Sequence, residues 1–65
     1  MQNEAIKRTI AVLGVDGENF EVDGHFSGDE RKARWYTVKK LSNGKVFVDH
    51  LPKFPSHEEI RRMVS

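Results

Sequence analysis

Eight side chains between Arg31 and Phe47 could do the most informative chemistry in this chain. Arg31, Lys32, Arg34, Lys39, Lys40 and Lys45 are cations, and Trp35 and Phe47 are flat aromatic rings. Cations in such a cluster neutralise phosphates, and aromatic rings interleaved with them stack on bases with little regard for sequence. A two-stranded ribbon carrying them could also enter a major groove. The same residues have a plain structural use. Trp35, Leu41, Phe47 and Leu51 would make half of a small core, and lysines at strand edges deter aggregation. Whether Trp35, the only tryptophan, is buried separates the two uses.

Other reactive side chains point to no reaction. His25, His50 and His57 stand 25 and 7 residues apart with no cysteine in the chain, which matches no metal-ligand spacing. The segment DGHFSGDE has oxygen donors (Asp23, Ser27, Asp29, Glu30) but not the register or closing Glu of a calcium loop, and turn chemistry accounts for its Asp and Gly. Ser27, Ser42, Ser56 and Ser65 have no His and carboxylate in a nucleophile's pattern. The Asp29-Glu30 and Glu58-Glu59 pairs are sequence neighbours, which do not face each other across a cleft. The expectation is a non-enzymatic protein with no metal and no cofactor.

Three local patterns would position these groups. In RTIAVLGVDGENFEVDG, Asp16-Gly17 signals a two-residue type I′ turn. That turn opposes Val15 to Glu18, Leu13 to Phe20 and Ala11 to Val22, gathering apolar side chains on one face. A helix over Asn3–Leu13 competes, because Ile6, Ile10 and Leu13 also fit a helical stripe. Strand is expected for 9–15, and 3–8 is left open. The segment DGHFSGDERKA that follows reads as a polar loop. In the second unit, Trp35–Val38 and Val46–Val48 are rich in β-branched and aromatic residues around Asn43-Gly44. A three-residue loop, Ser42-Asn43-Gly44, opposes Val38 to Val48 and Lys40 to Val46. Tyr36, Val38, Val46, Val48 and His50 then share one face. Trp35, Thr37, Lys39, Leu41, Lys45, Phe47, Asp49 and Leu51 share the other. Finally, Ser56 with Glu59 makes a capping box after Pro55, predicting a helix over 56–64 with acids early and Arg61 and Arg62 late.

Sixty-five residues make a single domain, 1–65, too small for more than one core. No run is long and apolar enough to cross a membrane and the N-terminus lacks a secretory pattern, so a soluble cytoplasmic protein is expected. The net charge of +1 hides a split. Residues 1–30 hold seven acids against two bases, residues 31–53 seven bases against Asp49, and the tail balances. That split means either a basic binding face or an acidic hairpin cancelling a basic one.

The segment GKVFVDHLP (Gly44, Lys45, Phe47, Leu51, Pro52) resembles a hairpin of the small SH3-like chromatin proteins of hyperthermophilic archaea. The resemblance covers nine of 65 residues. It implies hairpins with a short C-terminal helix and nucleic-acid contact. Those proteins are strongly basic, unlike this chain, so the resemblance assigns no family.

The expected fold is α+β, mostly β: two antiparallel hairpins in a small twisted sheet or partly closed SH3-like barrel, with a short C-terminal helix. The expected function is a binding module that meets nucleic acid through Arg31, Lys32, Arg34, Trp35, Lys39, Lys40, Lys45 and Phe47. The competing reading is a small protein-binding regulator or inhibitor of the mobile-element type, using its acidic first hairpin or an exposed strand edge. Apolar residues on both faces of the second hairpin leave room for a homodimer.

Overall fold

The computed structural model describes residues 5–28 and 30–64. Four antiparallel strands, β1 (Ala5–Val15), β2 (Glu18–Ser27), β3 (Trp35–Lys40) and β4 (Val46–Leu51), lie in that order in one sheet, followed by helix α1 (His57–Val64). β1 and β4 are the two edges and do not meet. Of the two architectures expected, the open sheet is the one found.

The first hairpin turns as its sequence demands. Asp16 and Gly17 both take positive φ, 51° and 81°, and Val15, Leu13 and Ala11 oppose Glu18, Phe20 and Val22. Residues 5–13 are strand rather than helix, and residues 3 and 4 lie outside the described residues.

β2 runs further than expected, through Asp23–Ser27, which the sequence assigned to a loop. The strand continues because it is paired on both sides: Gly24 and His25 oppose Arg8 and Lys7 on β1, and Tyr36 and Trp35 on β3. Gly24 fits where a side chain would not. An added Cβ would collide with Ile10 Cδ1 and approach Phe26 Cε1 to 3.0 Å. A bulge between Thr9 and Ala11 goes with this placement of Ile10. The connection to β3 shrinks to residues 28–34, where the Arg34 N–H donates to the His25 carbonyl at 2.7 Å.

One face of the sheet carries the core. Val15, Phe20, Val22 and Val38 are buried with Ile60 of α1, and Leu13, Tyr36, Phe47, Val48 and Leu51 pack around them half-buried. The helix begins at His57 because Ser56 is its cap. Ser56 Oγ accepts the Glu59 N–H at 3.1 Å and Glu59 Oε1 accepts the Ser56 N–H at 2.8 Å. Eight residues do not hold a helix in water alone, so α1 depends on docking against β1. Arg61 reaches Asp16 in the first turn at 3.2 Å, tying the helix to the closed end of the first hairpin. No helix among the described residues is long and apolar enough to cross a membrane.

Candidate nucleic-acid interface

The sheet face opposite the core is organised in cross-strand rows. One row is Lys7, His25 and Trp35; the next is Thr9, Asp23 and Thr37; a third is Glu21 and Lys39, flanked by Val12 and Val46. β4 joins these rows through two irregularities. Tyr36 opposes Leu51 and Val38 opposes Val48, so β4 uses three steps where β3 uses two; Lys39 then opposes Val46, two steps against one. The slack at the first irregularity falls beside His50, whose φ of 59° lies in the left-handed region.

These irregularities correct the expected register. Lys39, not Lys40, opposes Val46, while the Lys40 N–H donates to the Lys45 carbonyl at 2.9 Å. The loop is therefore four residues, 41–44, with Gly44 at φ 70°. His50, expected on the core face, lies on the face of Trp35. Leu51 and Phe47, expected beside Trp35, pack on the core, where the Phe47 ring lies 5.8 Å from that of Phe20. The physical reason is burial: the extra residue in β4 lets Phe47 and Val48 both reach the apolar side.

Trp35 is half-buried and outside the core cluster. Its indole is stacked between two imidazoles, His25 at 4.7 Å and 11° and His50 at 4.9 Å and 12° between centroids and planes. Behind the stack runs a hydrogen-bond chain. Thr37 Oγ1 donates to Asp49 Oδ1 at 2.9 Å, so the His25 Nε2 lying 2.6 Å from that hydroxyl must be the donor to it. This fixes the His25 proton on Nε2. Asp49 Oδ1 also accepts the His50 N–H at 2.8 Å, and Asp49 Oδ2 lies 3.3 Å from His50 Nδ1. These contacts hold His50 over the indole despite its backbone conformation.

The Thr37 hydroxyl beside Asp49 holds its carboxyl below the usual carboxylate range, with help from the His50 N–H. A lowered folded value stabilises above the ordinary value of about 3.9, and that contribution is lost as pH falls through the folded value. The Tm difference between wild type and Asp49→Asn is therefore expected to be present at about pH 6 and to shrink as pH falls below that ordinary value. Thermal melts followed by circular dichroism check this. A difference constant across the range would show that ionisation of Asp49 is not its source.

The cations divide into two groups. Lys39 Nζ lies 3.4 Å from Glu21 Oε2, partly shielded, and Arg34 holds Glu30 with two bonds of 3.0 and 3.3 Å. The Arg34 guanidinium keeps the Glu30 carboxyl low, and Glu30 in turn raises Arg34. Arg31, Lys32 and Lys45 are exposed and, among the described residues, have no carboxylate partner. Arg31 and Lys32 precede Trp35, at the sheet end that carries the stack, whereas Lys40 and Lys45 border the turn at the other end. The eight expected site residues are thus brought together in part. Arg31, Lys32, Arg34 and Trp35 share one end; Lys39 is paired in mid-face; Lys40 and Lys45 are remote; Phe47 is on the other face.

His25, Thr37, Asp49 and His50 were not read as site residues. Strand alternation was the available signal for the first two, since it places His25 with Asp23 and Thr37 with Trp35. Among the described residues no three His, Asp or Glu side chains come together as a metal-binding group. Comparison with known protein families, curated proteins and solved structures finds no match to this chain.

Proposed function

We propose that this chain is a small non-enzymatic module that binds single-stranded nucleic acid at the sheet end carrying the His25–Trp35–His50 stack. The observation that carries the reading is the geometry of that stack. Both faces of Trp35 are occupied, but His50 closes the column on an edge strand with its side chain 70% exposed, so its outer ring face is open to one more flat ring. An unpaired base placed there continues the column, and Arg31 and Lys32 supply the phosphate contacts. Trp35 acts as a positioning residue that backs His50. Lys39 and Arg34 contribute less, because each must leave its carboxylate first.

The test is fluorescence anisotropy of a labelled oligothymidylate as a function of salt. Binding is expected to weaken steeply as salt rises. Arg31→Glu with Lys32→Glu should lower affinity more than about tenfold and flatten the salt slope by about 1.4, two contacts at roughly 0.7 each. His50→Ala should cost roughly 5- to 150-fold, the range for losing one base stack. Lys40→Glu with Lys45→Glu should change little. The proposal fails if no binding occurs at low salt, or if the Arg31/Lys32 variant binds as well as wild type. The competing protein-partner reading draws on different surfaces, the acidic first hairpin or an exposed strand edge such as that of β1.

A further inference from the structure

The two edges of the sheet are treated differently by the sequence. β4 is six residues long, is broken by two register irregularities and is followed by Pro52, all of which blunt an edge against pairing. β1 is eleven residues long, has one bulge, and shows solvent Ile6, Ile10 and Val12, 41%, 45% and 53% exposed. Among the described residues, its outer ladder of N–H and C=O groups has no strand beside it. The only charged side chains on β1 are Lys7 and Arg8.

We infer that the outer edge of β1 receives an extended segment of a partner protein that carries two adjacent acidic residues among β-branched ones. Strand addition would satisfy the free ladder and cover Ile6 and Ile10. The charges select the occupant. Lys7 opposes His25 and stands on the open face of the sheet, whereas Arg8 opposes Gly24 and sits over the Phe26 ring, 5.7 Å away, on the core face. A complementary strand must offer one anion to each face, and neighbouring residues in a strand point to opposite faces. A second copy of this chain is disfavoured, because pairing the Ile6–Thr9 stretch with itself sets cation against cation. The inference is independent of nucleic-acid binding at Arg31 and Lys32.

The test uses three blocked peptides of about nine residues, built of Val and Thr. They carry Glu-Glu at the centre, Glu-Val-Glu at the centre, or Lys-Lys at the centre. Binding is followed by amide chemical shifts and hydrogen exchange of the intact protein. The Glu-Glu peptide should shift and protect the β1 amides from Ile6 to Val12. It should bind roughly 1.5- to fivefold tighter than Glu-Val-Glu, which puts both carboxylates on one face and so loses one cross-strand pair. Lys7→Glu with Arg8→Glu should transfer the preference to Lys-Lys, with amide dispersion unchanged as the fold control. The inference is overturned if the peptides bind equally, if none binds, or if the shifts map to Arg31 and Lys32. Concentration-dependent β1 shifts without peptide would overturn it in favour of self-pairing.

Discussion

Ile60→Ala is expected to lower the melting temperature by about 8–40 °C, the largest effect of any single substitution discussed for this chain. Ile60 is fully buried and is the only helix residue in the core cluster, which it shares with Val15, Phe20, Val22 and Val38. Truncating a buried Ile costs about 2–5 kcal/mol, and each kcal/mol is worth about 4–8 °C in a domain of this size. With five buried apolar residues forming the core, little else compensates. Polar tethers do not: both partners of Arg61–Asp16 are about half exposed, 47% and 62%, so Arg61→Ala should cost under about 1 kcal/mol. Circular dichroism at 222 nm beside a sheet-sensitive signal decides the matter. If the helix signal is lost while the sheet melts unchanged, Ile60 is not part of a common core.

Thr9→Val should destabilise by about 1–3 kcal/mol, and adding Asp23→Val should restore most of the loss. Asp23 is 2% exposed, and the Thr9 hydroxyl donates to its Oδ1 at 2.9 Å across the β1–β2 ladder. Valine at position 9 keeps the shape and favours the strand but removes the donor, leaving a buried carboxyl short of a partner. Removing both polar groups takes away the desolvation cost together with the bond. Urea unfolding of both single variants and the double variant measures the coupling. A double variant as unstable as Thr9→Val alone would mean that the lost bond is not the cause.

What the sequence made legible was local. Asp16-Gly17 set the first turn and, through it, the pairing of Ala11, Leu13 and Val15; Ser56 and Glu59 set the start of α1. These signals need only a few neighbouring residues. The bulge at Ile10, the continuation of β2 through Gly24 and the two irregularities in β4 were not legible, because each is decided by what packs across the sheet. Ile10 passes over Gly24, and Phe47 turns to meet Phe20. A one-residue slip exchanges faces, so these bulges moved His50 to Trp35 and took Phe47 away. The site followed the same rule. Its cations were visible in the composition, but which were already paired depended on Glu21 and Glu30 as neighbours in space. Charge cancellation between the hairpins occurs locally, at Lys39 and Glu21.

The strand order has a kinetic consequence. Every strand pairs with its neighbour in sequence, so the sheet closes only short loops, beginning with the Asp16-Gly17 hairpin on a scale of microseconds. Only α1 returns to the beginning of the chain, with Arg61 meeting Asp16 across 45 residues. That long closure is expected to pay its entropy last, with the helix docking onto a sheet already formed. Loss of Ile60 then appears almost wholly as faster unfolding, with the folding arm of the chevron nearly unmoved. A slowed folding arm would instead place the helix in the nucleus. The residue that most secures the folded molecule would act as its latch, and would have little part in how quickly it forms.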